Sequence, residues 1–460
     1  MDRREFLKNL SIGTVSVLAG SCASARQNSD SSISARKPNI IFIMADDLGA
    51  AHVGCYGGTK ILTPSIDTMA SEGLRFTQTY AGHCVCAPSR SVLMTGLHTG
   101  HTRVRGNSCS TGGDRDEETG RGCRLALKPD DVTVAEVLKT AGYATGITGK
   151  WGLGEAGSTG VPTKKGFDEW FGYLNQNMAI YYYLDYLWRN EERFEIPANK
   201  NNAKQVYTHD LMADFALDFI RGHKDGPFFL YVPFTIPHFN HEVPDIKPYE
   251  DKPWSEEEKI FAAMITRMDK DVGRIFDLLK ELDLDKDTIV FFCSDNGGIM
   301  KGVLPQFQGK KGSLKEGGIR VPMIVRWPGK IKAGKVSDAQ WYFADVMPTL
   351  AELAGAKSPG NIDGISVVPT LFGENQQQLT ERFMYWENLK RNLEQASRWR
   401  DWKAYRKKQG MKLELYNLAV DPGERNDVSE QHPEIVKIFE DYLKTARTDS
   451  PYYPLGRRRN

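Results

Sequence analysis

The sequence predicts an α/β fold: a large central, mostly parallel mixed sheet sandwiched by helices, with a smaller C-terminal α+β subdomain. Three observations predict it. Apolar runs of strand length at 38–45, 227–236 and 288–293 lack a polar alternation, as expected of parallel strands buried on both faces. Segments of helical period lie among them, the longest at 255–282. Polar clusters stand at the ends of those runs: Asp46-Asp47, His238, and Asp295-Asn296. The carboxyl ends of strands are where open α/β sheets bind ligands.

In chain order, the run at 38–45 (PNIIFIMA) reads as the first buried strand. The segment 132–141 has helical spacing, and 143–148 reads as a strand ending in Gly149-Lys150. An amphipathic helix at 209–221 precedes the strand at 227–236. In the long helix at 255–282, Ser255 and Glu258 form a capping-box pattern at its start, and Ile260, Phe261, Met264, Ile265, Met268 and Val272 mark its apolar face. A strand at 321–326 and a helix at 345–354 follow, and 373–378 is polar enough to read as a boundary. Beyond it, short segments at 394–405 and 413–417 and a helix at 434–446 suggest the small subdomain. The expected organisation is residues 1–22 as an export signal, 23–37 as a linker, 38–373 as the catalytic domain and 374–460 as the C-terminal subdomain.

The N-terminal segment reads as a targeting signal. Arg3-Arg4 before an apolar stretch resembles a twin-arginine export signal. Ala19-Gly20-Ser21-Cys22 resembles a lipoprotein cleavage box with Cys22 as the lipidated residue, although Leu18 stands one place early. The expectation is an exported bacterial protein, periplasmic or anchored at the cell surface, touching a membrane only through that lipid. A net charge of +1 gives no electrostatic case for nucleic acid. Among seven cysteines, Cys109 and Cys123 flank a loop and could pair in an oxidising compartment.

The stretch HCVCAPSRSVLMTG, 83–96, carries the chemistry. Pro88 suits a first helical turn. A helix is expected over 89–94, closing at Gly96, with Cys86 at its N-terminus, where backbone N–H groups favour an anion. Arg90 lies one turn on, on the same face. Asp46, Asp47, Asp295 and Asn296 are hard oxygen donors at two strand ends, a set that favours calcium or magnesium over zinc. Without a cation the adjacent carboxylates would repel. Lys150, His238 and Lys311 join Arg90 as the cations. Such a group suits a sulfate or phosphate ester.

These motifs resemble the type I sulfatases, a family within the alkaline phosphatase superfamily. The resemblance runs from 38 to 455 in the family's order: NIIFIMADDLG, CAPSR, TGKWGLG, IPH, SDNGG, GKKGSLKEGGIRVP and LELYNLAVDPGERND. It implies an alkaline phosphatase-like fold and one calcium ion on Asp46, Asp47, Asp295 and Asn296, touched also by residue 86. It implies that a maturation enzyme converts Cys86 to formylglycine, whose hydrate attacks sulfur. It further implies that His238 or Lys311 protonates the leaving alcohol, while Lys150 and Arg90 neutralise charge and hold residue 86. The implied substrate is a sulfated carbohydrate or aryl sulfate. The segment GYLNQNMAIYYYLDYLWRN, 172–190, resembles sulfatases of galactose- or N-acetylgalactosamine-6-sulfate. Its rings, from Trp170 to Trp188, either stack on sugars or pack beneath a long loop.

One place departs from the family. Many relatives read GKWHLG, with a histidine that helps residue 86 release sulfate, where this chain has Gly152. His83, His101 and His241 are the substitutes to consider, each more ordinarily a packing or surface histidine. A histidine restored at 152 would be expected to raise the steady rate. The alternatives to a sulfatase are a phosphoryl-transfer enzyme of the same superfamily, or a protein that binds sulfated glycans without turnover.

Overall fold

The computed structural model describes residues 37–115, 120, 123–299, 304–389 and 392–455. The export signal, the lipidation box and nearly all of the linker lie outside the described residues. Arg36–Asn460 forms one compact unit.

Eleven strands make the main sheet: β1 (Asn39–Ala45), β2 (Leu74–Tyr80), β3 (Ala144–Lys150), β4 (Glu169–Tyr173), β5 (Tyr186–Arg189), β6 (Glu192–Glu195), β7 (Phe228–Pro233), β8 (Thr288–Ser294), β9 (Arg320–Arg326), β10 (Lys335–Ser337) and β11 (Trp341–Tyr342). Their order is β10-β2-β9-β8-β1-β7-β3-β4-β5-β6, with β11 also on β2. The run β8-β1-β7-β3-β4 is parallel. β9 is antiparallel to both β8 and β2, and the β5–β6 hairpin closes one edge.

The central strands are apolar because both faces are covered. Along β1, Ile40, Phe42 and Met44 join one core with Val92, Leu93, Val137, Leu138, Val346 and Leu350. Ile41, Ile43 and Ala45 join the opposite core with Ile66, Met69, Leu217, Ile220, Met264, Met268 and Val272. Successive side chains point to opposite faces, so a strand with no polar alternation needs helices on each side. One layer holds the helices Cys86–Thr95, Val134–Thr140 and Val346–Ala354; the other holds Pro64–Glu72, Thr208–Gly222 and Glu256–Glu281. The capping box at Ser255 and Glu258 is present, and Thr133 with Glu136 makes a second one.

Four antiparallel strands form a second sheet: β12 (Phe383–Asn388), β13 (Glu394–Trp399), β14 (Trp402–Arg406) and β15 (Glu414–Asn417). The helix Pro433–Leu443 packs on it through Phe439 and Leu443. Buried polar contacts tie this sheet to the first. Trp386 Nε1 donates to Ala81 O (2.8 Å), and Lys403 Nζ meets Glu316 Oε1 at 2.9 Å.

Several strands were not readable in advance. The aromatic segment 169–189 is β4 and half of a hairpin, and Trp170, Tyr173 and Tyr182 are buried there. Packing explains most of those rings, although Tyr181 is exposed. The segment 394–405 is two strands, because Arg400 turns the chain with φ +55°.

Candidate active site

Five loops at the carboxyl edge of the parallel strands converge. Asp46 and Asp47 follow β1; Lys150 ends β3; His238 lies shortly after β7; Asp295 and Asn296 follow β8; Lys311 precedes β9. The helix of the candidate nucleophile starts at Cys86 itself, three residues earlier than its spacing predicted, with Pro88 in the first turn. It ends on Gly96, whose φ of +69° gives the left-handed cap that glycine accepts without strain.

Cys86 Sγ lies 3.3 Å from Asp46 Oδ1. Lys150 Nζ donates to Asp46 Oδ2 at 2.5 Å, and Arg90 Nη2 stands 3.4 Å from the same oxygen. Arg90 also donates through Nε and Nη2 to Asp295 Oδ2 (3.2 and 2.9 Å) and through Nη1 to Lys150 O (2.6 Å). Asp47 adopts φ +67°, which swings its carboxylate toward Asn296 and Lys311. There Asn296 Nδ2 donates to Oδ1 at 2.7 Å and Lys311 Nζ to Oδ2 at 2.7 Å. Lys311 Nζ is also 3.0 Å from His238 Nε2, and His238 Nδ1 is 2.5 Å from Phe239 O. The structure therefore brings together all nine residues singled out from the sequence.

The electrostatics differ from the sequence argument in one respect. Three buried carboxylates, Asp46, Asp47 and Asp295, face three cations, Arg90, Lys150 and Lys311. Each carboxylate thus has a cation partner within the protein, although burial and Asp46 outweigh Arg90 at Asp295 and push its carboxyl up to about 6. Burial would push the Asp46 carboxyl up, but Lys150 and Arg90 outweigh it and hold it well below the usual range. Burial, then Asp295 and Asp46, push the Cys86 thiol well above its ordinary value. Burial lowers the His238 imidazole below its ordinary value, against the opposing pull of Asp46 and Asp47.

The donors fit a hard divalent cation. Asp46, Asp47, Cys86 and His238 form a cluster whose ligand atoms lie within 4.8 Å of one another. Asn296 Oδ1 is buried and takes no hydrogen bond among the described residues, an unused oxygen donor beside two carboxylates. Counting Asn296, three of these five donors are oxygens, the type calcium or magnesium prefers, while the expected ligand Asp295 lies outside the 4.8 Å cluster.

None of the three substitute histidines joins this group through a described contact. His83 uses both nitrogens: Nδ1 accepts from Val85 N (3.1 Å) and Nε2 donates to Glu387 O (2.8 Å). It buttresses the nucleophile loop on the second sheet. His101 pairs with Asp363 at 3.0 Å. His241 lies 3.4 Å from Glu257 and edge-on to Phe261. Gly152 has φ +84°, and a Cβ there would stand 2.1 Å from Gln176 Nε2. The left-handed backbone opposes a histidine at 152, and the Gln176 amide would have to move to admit one.

The sequence reading missed two supports. Asn107 Oδ1 accepts from Ala87 N (2.9 Å) in the first turn of the nucleophile helix. Tyr182 Oη lies 2.8 Å from both Thr235 O and His238 O, its one proton shared between the two carbonyls, which fixes the histidine loop. Neither lies in a local pattern; both contacts span long stretches of chain. Cys109 and Cys123 form a disulfide.

A helix start carrying a candidate nucleophile, set among buried carboxylates and cations at a sheet's carboxyl edge, defines an enzyme of oxyanion-ester hydrolysis. The model of the Sulfatase family matches residues 38–356, and that of N-sulphoglucosamine sulphohydrolase, C-terminal, matches 309–449. The chain belongs to the Sulfatase family and is a sulfuric ester hydrolase. It is 32% identical over 383 residues to the N-acetylgalactosamine-6-sulfatase of Canis lupus familiaris, spanning 76% of this chain and 68% of that one. It is 30% identical over 508 residues to the N-acetylgalactosamine-6-O-sulfatase of Bacteroides thetaiotaomicron, spanning 91% and 95%. The crystal structure of Ps i-CgsB in complex with k-i-k-neocarrahexaose superposes with a TM-score of 0.79 at 28% identity, covering 92% of this chain and 95% of that one.

Proposed function

We propose that this enzyme releases sulfate from a sulfated carbohydrate, using residue 86 as formylglycine and one calcium ion. The observation that carries the reading is the placement of Cys86 at a helix start, 3.3 Å from Asp46, inside the set Arg90, Lys150, His238, Asp295, Asn296 and Lys311. Relatives named N-acetylgalactosamine-6-sulfatases, and a neighbour solved in complex with k-i-k-neocarrahexaose, support a sugar substrate.

Asp46, Asp47, Asp295 and Asn296, with residue 86, would hold the calcium, which supplies a positive pole for the sulfate oxygens. The formylglycine hydrate supplies the hydroxyl that attacks sulfur. The chain's own residues do the rest. Arg90 fixes Asp295 and the Lys150 carbonyl, so the two loops and the helix keep one spacing. Lys150 compensates Asp46. Lys311 points its Nζ protons at His238 Nε2 and Asp47, and the pair is placed to protonate the leaving oxygen. Because three carboxylates already meet three cations, a divalent ion leaves surplus positive charge in the site. An anionic ester offsets that surplus, which favours sulfate over a neutral ester.

Maturation by a formylglycine-generating enzyme and export from a bacterial cytoplasm complete the proposal, with Cys22 as a lipid anchor. The Cys109–Cys123 disulfide supports an oxidising compartment. The test joins peptide mass spectrometry of residue 86 to turnover of an aryl sulfate, an aryl phosphate and a panel of sulfated disaccharides. Active protein is expected to carry formylglycine and to prefer sulfate. Full activity from unmodified Cys86, or from Cys86→Ala, would sink the mechanism, and a preference for phosphate would favour phosphoryl transfer.

A further inference from the structure

Gln176 lies on the turn after β4, against the loop that carries Lys150. Trp151 N donates to Tyr173 O (2.9 Å) and Gly152 N to Leu174 O (2.8 Å). The Gln176 side chain folds back over Gly152, where a Cβ would stand 2.1 Å from its Nε2. The glycine at φ +84° therefore leaves the room the glutamine fills. Gln176 is 8% exposed, and among the described residues no acceptor takes its Nε2 protons.

The same turn reaches the nucleophile helix from its other side. Ala87 N donates to Asn107 Oδ1. Arg124 then bridges, donating through Nη1 to Asn107 O and through Nη2 to Asn177 Oδ1. Asn175 Nδ2 donates to Glu155 Oε2 (3.0 Å). Gln176 thus sits in an arc that starts one residue after Cys86 and ends two residues after Lys150. Its neighbours Asn175 and Asn177 are engaged within the protein, and among the described residues its own Nε2 is not. A buried donor without an acceptor is destabilising, and an acceptor supplied by a ligand relieves that cost.

We propose that Gln176 is a substrate-binding residue whose Nε2–H donates to an oxygen of the ester's sulfate group. Gln176 is buried beside the loop that carries Lys150, whose Nζ meets Asp46 among the residues that would hold the sulfate. A neutral amide donor there binds the anion without disturbing the balance of three carboxylates and three cations. The proposal rests on the sulfuric ester hydrolase activity.

The test uses the matured, metal-loaded full chain and the variants Gln176→Leu and Gln176→Glu. It measures kcat/KM on an aryl sulfate and a sulfated carbohydrate, the inhibition constant of inorganic sulfate, and thermal unfolding. Loss of one hydrogen bond to a charged group is expected to lower kcat/KM about 10- to 100-fold on both substrates alike. Gln176→Glu should lose more, through repulsion of the anion. Inorganic sulfate should inhibit both variants more weakly. Gln176→Leu should unfold at or above the wild-type temperature, because it removes an unpartnered polar group; a merely structural glutamine would lower it. A kcat/KM within twofold of wild type, a loss confined to the carbohydrate, or failure of both variants to fold would overturn the proposal. Wild-type protein that spares every sulfate ester and cleaves the aryl phosphate would overturn the sulfatase activity first, and the proposal with it.

Discussion

Lys311 Nζ lies 3.0 Å from His238 Nε2, and the tautomer of the histidine follows from its other contact. His238 Nδ1 is the atom that faces a carbonyl, Phe239 O, so it carries the ring proton. Nε2 is then an acceptor, and Lys311 holds the proton between them. Lys311→Ala should therefore slow sulfate esters of alkyl alcohols by about 10²–10⁴ in kcat, the usual span for general acid help. Esters of acidic phenols, which leave without a proton, should lose much less. A series of aryl sulfates of rising phenol pKa, extended to one sugar sulfate, measures this. An equal loss across the series would remove Lys311 from the proton path.

The three-by-three balance of Asp46, Asp47 and Asp295 with Arg90, Lys150 and Lys311 predicts how the protein behaves without metal. Chelation should abolish turnover and leave the chain folded, because each buried carboxylate keeps a cation partner. Added calcium should restore activity and raise the melting temperature with its concentration, as for any ligand bound by the native state. Elemental analysis should find one divalent ion per chain, lost in Asp295→Ala together with turnover. Two tightly held zinc ions would speak instead for phosphoryl transfer.

What the sequence shows well is whatever is written locally. Asp46-Asp47 and Asp295-Asn296 end apolar runs, and Ser255 with Glu258 forms its cap within one turn; the structure places each accordingly. What it hides depends on distant chain. β2 is only partly buried along its length, and the hairpin from Tyr186 to Glu195 is an edge element with an exposed second strand, so neither shows a clean apolar pattern. The roles of Asn107, Tyr182 and Gln176 come from contacts across 20 or more residues, or from the space above a glycine. His83 reads as a spare base until its two nitrogens are seen bonded to Val85 and Glu387.

Buried histidines set the acid limit of the fold. Burial lowers His52, His83 and His98 each to about 4 from an ordinary 6.5. Each ring binds its proton less tightly in the folded chain than in the unfolded one. Their stability is therefore complete above about pH 6.5 and is lost progressively as the pH falls toward 4, on the order of 3 kcal/mol each at most. Urea unfolding from pH 7.5 to 4.5 should show this fall, and His52→Gln should reduce its slope by about one proton. A flat profile between pH 6.5 and 4.5 would contradict the assignment.

Gly152 offers the sharpest contrast between motif and geometry. By motif alone, Gly152→His restores a familiar base and should speed turnover. By geometry, the substitution puts a β-carbon at φ +84° and 2.1 Å from Gln176 Nε2. A left-handed backbone costs a non-glycine residue roughly 1–2 kcal/mol, and the glutamine must also leave its place. Gly152→His is therefore expected to lower both stability and kcat/KM. Gly152→Ala, which adds only the colliding atom, should show most of the same loss. The double variant Gly152→His with Gln176→Ala separates the two effects, because it clears the space and keeps the strain. It should regain some stability over Gly152→His alone, a positive coupling expected of residues in contact. Turnover by Gly152→His above wild type, at unchanged stability, would show that the site adapts and that the glycine is not held by Gln176.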